Sequence, residues 1–340
     1  MQYTTLKWND MKQRLEYIDI AKGLGIIFAT LCHTEHWELA YYTLAFNIPI
    51  FFFCSGYTSS KKDINLTICF GRQAIKLLKP YLFFNILLLF YFHDFSLRAI
   101  FGIFYSRYCL FPFGTVTDIF PLFIVGNYPM WFLTCMVVAY LLYDLLIYYP
   151  KYQYWLIATY LVITTCATFL PILLPWSLDT APLTAIIMFC GTQIRKYVPN
   201  IFSNRKPHIL ILLSFISYCV LIPFCDGINI SIRNYGSSIL TYFLAAICGS
   251  IFLIYVARLI QKTILGTIIK QIGNHSMTIF CIEIPFILLG KQFSNSILPD
   301  MLPLHFAVLT SFIQLTFALA GGYLFSILLH KNKYIQKIVF

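Results

Sequence analysis

The sequence predicts an all-α polytopic membrane protein with about ten transmembrane helices, from its composition, the spacing of its apolar runs and the sidedness of its charges. Of 340 residues, 59% are apolar and 11% charged, a balance found in multi-pass membrane chains and foreign to a water-soluble globule. Runs near the ~20 residues that cross hydrocarbon recur at 18–36, 41–59, 74–92, 130–149, 153–171, 181–194, 207–225, 238–258, 272–290 and 303–329, the sixth being short. Lys and Arg fall in alternate connections, among them Lys7, Lys12, Arg14, Lys61, Lys62, Lys151, Arg195, Arg205, Lys206, Arg258 and Lys331. The other connections keep only Arg98, Arg107, Arg233 and Lys291. The positive-inside rule then puts both termini in the cytoplasm. Residues 1–340 are expected to form a single integral membrane domain.

The net charge of +11 does not imply nucleic acid, because the basic residues recur between runs and build no groove-like stripe. The polar, mixed-charge N-terminus lacks a signal-peptide pattern, so the first run is expected to stay as an anchor. Eleven Cys lie mostly inside apolar runs with no repeating Cys-x-x-Cys pair; buried free thiols are expected, and no metal site.

The second run carries Pro49, the sixth Pro182 and the ninth Pro285, each expected to free a carbonyl within its span. The longest connection, 93–129, is external. It is too apolar for a polar loop and too interrupted by Pro and Gly for a clean crossing, which fits a re-entrant or interfacial segment over a substrate site.

The first run holds the chemical equipment. Asp19, Lys22 and His33 sit in an otherwise apolar stretch, where ionisable groups are costly unless they serve a function. Lys22 and His33 are eleven residues apart, about 16 Å along a helix and nearly on one face. Asp19 is within i,i+3 reach of Lys22 and could pair with it. A neutral imidazole can accept a hydroxyl proton, which makes His33 a candidate general base; a structural hydrogen-bonding role is the alternative. Glu35 fits the rim of such a site.

The string RLEYIDIAKGLGIIFATLCH at 14–33 resembles the opening motif of the membrane-bound acyltransferase-3 family, which includes bacterial polysaccharide and lipopolysaccharide O-acetyltransferases. Asp19, Lys22, Gly23 and His33 match it, with Lys where Arg is common, as in the fucose 4-O-acetylase-like branch. FNIPIFFFCSGYTSSKK, the basic segment with Arg72, Lys76, Pro80 and Tyr81, and Trp131-Phe132-Leu133 follow in family order. IGNHSMTIFCIE at 272–283 resembles the late motif but places Glu283 where many members have His.

The resemblance implies transfer of an acyl group, foremost acetyl, from cytoplasmic acyl-CoA to a hydroxyl of a cell-surface glycan or lipid-linked saccharide in a bacterial inner membrane. Acyl-CoA would be a substrate, with no tightly bound cofactor. His33 would be the base, with Lys22 or a backbone donor near Ser55 and Gly56 at the oxyanion and Asp19 supporting Lys22. Arg72, Lys76, Ser55, Tyr57, Asn274 and His275 are candidates for the CoA side. Glu35, Trp131, Arg233, Tyr235 and Glu283 are candidates for the acceptor, with Glu283 also a candidate partner of Lys22. Membrane lipid is the expected surround, and a homodimer is left open. The rival reading is a transporter or flippase for a glycolipid or organic anion.

Overall fold

The computed structural model describes residues 15–59, 66–107, 109–112, 128–198, 201–202, 208–298 and 304–340. Lys7, Lys12, Arg14, Lys61, Lys62, Arg205, Lys206, residue 108 and residues 113–127 lie outside them. The described chain is helical: α1 Glu16–Leu31, α2 Pro49–Thr58, α3 Leu66–Phe92, α4 Leu97–Tyr105, α5 Trp131–Tyr148, α6 Gln153–Ala167, α7 Ala181–Tyr197, α8 His208–Leu221, α9 Ile239–Ile260, α10 Ile264–Asn274, α11 Ser276–Ile297, α12 Leu304–Lys331 and α13 Lys333–Val339.

Each apolar run contains a helix, and among the described residues five helical segments are long and apolar enough to cross a membrane: Phe70–Phe92, Tyr128–Tyr148, Ile239–Ile260, Ser276–Ile297 and Val308–Lys331. The first run becomes a 16-residue helix that stops at Leu31. The second starts as a 3-10 helix at Trp37–Thr43 and becomes α-helical only at Pro49. Composition registers the apolar run but not the break within it. Pro49 opens α2, and Pro182 lies in the first turn of α7, so neither interrupts a helix as the sequence suggested. Pro80 and Pro285 do lie inside helices. Their missing N–H groups deprive the carbonyls of Lys76 and Cys281 of their usual partners.

Local capping explains several boundaries. Ser96, Ser238, Thr263 and Asn332 each accept a backbone N–H through the side chain at the start of α4, α9, α10 and α13. Within 93–129, the described part forms α4, which buries Ala99, Gly102 and Ile103 while Leu97, Phe101 and Phe104 face outward.

α1 is the hub, packed by α2, α9, α10, α11 and α12. Its closest neighbour is α10, a helix the span count did not anticipate. The two backbones touch where a Cβ on Gly23 would lie 2.2 Å from the Ile269 carbonyl oxygen and one on Gly273 1.8 Å from that of Asp19. A second tight crossing joins α2 to α7, where Cβ atoms on Gly56 and Gly191 would meet the Met188 and Phe53 carbonyls at 1.8 and 2.3 Å. Small residues at such crossings let helices approach where apolar transfer supplies no drive.

Replacing Gly273 with Val should therefore abolish the monodisperse peak in fluorescence-detected size exclusion. Gly71→Ala, where a Cβ meets nothing within 4 Å, should elute as the parent does.

Candidate active site

The first helix ends just before its histidine. Cys32 is the αR cap of α1, and the His33 N–H donates to the Thr30 carbonyl at 3.0 Å, holding the imidazole on a tight turn rather than on the helix. His33 Nδ1 lies 2.6 Å from Glu283 Oε1, and the second carboxylate oxygen accepts from the Thr30 hydroxyl at 2.5 Å. Glu283 is fully buried, whereas the His33 side chain keeps 20% exposure. With Glu283 ionised, its oxygen accepts the Nδ1 proton and Nε2 is left with a lone pair. The Tyr128 ring meets the imidazole edge-on at 5.1 Å between centroids.

His33 opens into a cleft of about 600 Å³, lined by Ala29, Cys32, Leu44, Asn47, Ile48, Tyr128, Trp131, Phe280 and residues 227–232. The lining is mainly apolar and aromatic, with few polar groups, the usual make-up of a small-molecule site. Asn47 is held in place: its Oδ1 accepts from the Ile48 N–H at 2.7 Å, and its Nδ2 donates to Cys32 Sγ at 3.0 Å. Behind Trp131 and Phe280, Phe132 packs against Phe51, Phe52 and Phe280 at 5.3–5.6 Å between centroids.

The structure brings His33 and Trp131 to this cleft, with Glu283 buried behind His33, and leaves the other sequence candidates outside its lining. Glu283 meets His33, not Lys22, and no ion pair joins Asp19 to Lys22 among the described residues. Asp19 is buried, its carbonyl beneath Gly273. Lys22 is half-buried and lies electrostatically close to Cys54 of α2, about 16 Å down the helix from His33.

The end of α1 opposite His33 meets the C-terminal ends of α2, α7 and α9. Ser55 bonds back to the Phe51 carbonyl and Gly56 is pressed against Met188, so neither faces His33 as an oxyanion donor. Tyr57 is buried with its hydroxyl 3.4 Å from that of Tyr17. Arg195 lies over the Tyr57 ring and donates to the Tyr57 carbonyl, while Arg258 lies over Tyr17. Arg72 and Lys76 are exposed on α3, and Asn274 is exposed at the end of α10. His275 contacts the Ser326 hydroxyl at 2.8 Å.

At the His33 end, Glu35 is a rim residue, 3.3 Å from Lys291 and hydrogen-bonded to Gln314. Arg233 is buried and committed to Asp179 and the carbonyls of Leu170 and Ile172, leaving its guanidinium no acceptor role. Tyr235 is buried against Tyr242.

Sequence reasoning missed Thr30, Asn47, Tyr128 and the 227–232 wall. Asn47, a polar side chain inside an apolar run, carried a usable signal; the others carried none without knowledge of the contacts.

A multi-pass helical membrane protein with an imidazole–carboxylate pair at the edge of an apolar cleft is equipped for proton-coupled group transfer. The model of the acyltransferase-3 family, described as an acyltransferase domain, matches residues 15–331, and the chain belongs to that family. It is an acyltransferase. No curated protein and no solved structure matches it.

Thr30→Val would leave a buried carboxylate oxygen without its donor. A charge-assisted hydrogen bond of this kind contributes about 1.5–3 kcal/mol, so the melting temperature in detergent should fall clearly, while Thr30→Ser should stay near the parent.

Proposed function

We propose that this acyltransferase moves an acetyl group from cytoplasmic acetyl-CoA to a hydroxyl of a cell-surface glycan or lipid-linked saccharide in a bacterial inner membrane. The observation that carries the reading is the His33–Glu283 hydrogen bond at the edge of the cleft. In this reading the ten apolar runs each contribute to crossing, the short helices do so together with their flanking turns, and both termini are cytoplasmic.

In the proposed step an acceptor O–H in the cleft donates its proton to His33 Nε2 as its oxygen attacks the thioester carbonyl. The carbon–sulfur bond then breaks, and the imidazolium returns the proton to the departing CoA sulfur. Glu283 holds the imidazole in the required tautomer and stabilises the imidazolium without accepting the proton, as the carboxylate does in hydrolase triads. Asn47 Nδ2 is a fixed side-chain donor lining the cleft and suits the tetrahedral oxyanion better than Ser55, Gly56 or Lys22, which lie elsewhere. Lys22, Arg195 and Arg258, at the opposite end of α1, suit a polyanionic donor, while Trp131 and Tyr128 suit the apolar face of a sugar ring.

The test is turnover by purified protein in liposomes, following CoA thiol release and acyl incorporation into a saccharide. His33→Ala should lower kcat by roughly 10³-fold or more, and Glu283→Gln by roughly 10²–10⁴-fold through loss of the tautomer, each read on the monodisperse fraction because removing either partner also weakens the buried pair. Undiminished turnover in His33→Ala would remove the base. Vectorial movement of a glycolipid without thiol release would favour the transport reading instead.

A further inference from the structure

The 227–232 wall of the cleft is stapled in place by charge. Arg107, Asp179 and Arg233 are 0%, 0% and 5% exposed. Arg107 pairs with Asp179 Oδ1 and donates to the Leu174 carbonyl at 2.9 Å and to the Ser231 carbonyl at 2.8 Å. Arg233 donates to Asp179 Oδ2 at 3.2 Å, to Ile172 at 3.0 Å and to Leu170 at 2.6 Å. Asp179 Oδ2 also accepts the Leu174 N–H. Three connections far apart in sequence are thereby joined. Arg233 itself sits in the left-handed region at φ 63°, a conformation an L residue holds only when its surroundings impose it. Asn229 and Asn234 close the loop with two backbone bonds of 2.9 Å.

Buried ionic clusters add little net stability over apolar packing, and their best-attested use is to fix one arrangement among several. The arrangement fixed here is a face of the cleft beside the proposed base. A polyanionic donor finds little to hold it on this face: the guanidiniums of Arg107 and Arg233 are turned into the cluster, and Lys291 is paired with Glu35. A neutral saccharide presented to Ile228, Ile230 and Ile232, with the exposed Asn229 side chain between them, fits it.

Resting on the acyl-transfer reading above, we infer that residues 227–232 form the acceptor-selecting wall and that Arg107, Asp179 and Arg233 are positioning residues that hold it. The cluster sets which hydroxyl reaches His33 and leaves thioester activation to the His33–Glu283 pair.

The test is the triple variant Arg107→Met, Asp179→Leu, Arg233→Met, which removes all three charges together so that none is left unpaired. Two readouts are taken. Hydrogen exchange should rise at least tenfold in 227–232 while α1 is unchanged and the melting temperature stays within a few degrees. With acetyl-CoA and a panel of p-nitrophenyl glycosides, acceptor-independent thioester hydrolysis should stay within twofold. Transfer should lose at least tenfold in acceptor kcat/KM, with preference among the glycosides flattened. If the triple variant does not fold, Asp179→Asn is assayed in its place by the same two readouts. Unchanged exchange in 227–232 overturns the inference, as does a loosened wall with unchanged glycoside preference, or hydrolysis and transfer falling together. A wild-type protein that hydrolyses acetyl-CoA yet acylates no glycoside overturns the acceptor assignment of the wall, and the exchange readout still decides the positioning role.

Discussion

A fully buried carboxylate must be answered, and the answer given to Glu283 organises the site. Moving an unpartnered carboxylate out of water costs several kcal/mol even after relaxation. Glu283 is met by the Thr30 hydroxyl on one oxygen and His33 on the other. Both partners come from the end of α1, so the same two bonds that satisfy the charge fix the imidazole and lock α1 to α11. Pro285, two residues further along α11, weakens that helix's own ladder where the lock is made. The need to satisfy one buried charge thus sets the orientation of the ring that the proposed reaction uses.

The fold was legible to the extent that composition and period can be read. Apolar runs located the helices, and the ionisable residues within the first run pointed to the site because charge in that setting is expensive. The breaks were not legible. A run such as 41–59 is mainly apolar, and its hydropathy does not reveal that the α-helix begins only at Pro49. The α1–α10 crossing was not legible: Gly23 stands in the sequence as a motif residue, and the helix it meets is amphipathic, too short and too polar to register as a span.

For the site, the family resemblance pointed to both ends of the pair and misjudged their relation. Against a motif ending in His, Glu283 looked like a weakened position. In three dimensions a carboxylate there is chemically coherent, because it accepts the Nδ1 proton that a second neutral imidazole would have to compete for. The separation of 250 residues explains why sequence spacing could not find the contact. Local spacing instead suggested Asp19–Lys22, three residues apart, which the folded chain does not use as an ion pair. Proximity along a helix is cheap to notice and easily overridden by the packing of a neighbour such as Gly273 against the Asp19 backbone.

The two ends of α1 divide the work by charge. One end carries the His33–Glu283 pair and an apolar cleft whose nearby guanidiniums are turned inward onto Asp179. The other carries Lys22 and the tyrosine-stacked Arg195 and Arg258. The proposed reaction, which joins a polyanionic donor to an uncharged alcohol, would use that asymmetry, since cations lining the alcohol's site would retain the donor's leaving group. Helices set the distance between the ends, about 1.5 Å per residue of α1, and cannot be altered without disturbing the glycine crossings. The loops that wall the cleft are free of that constraint. On the proposed reading, acceptor choice would therefore be altered in 227–232 and its staple, where a changed side chain reshapes the cleft without moving His33.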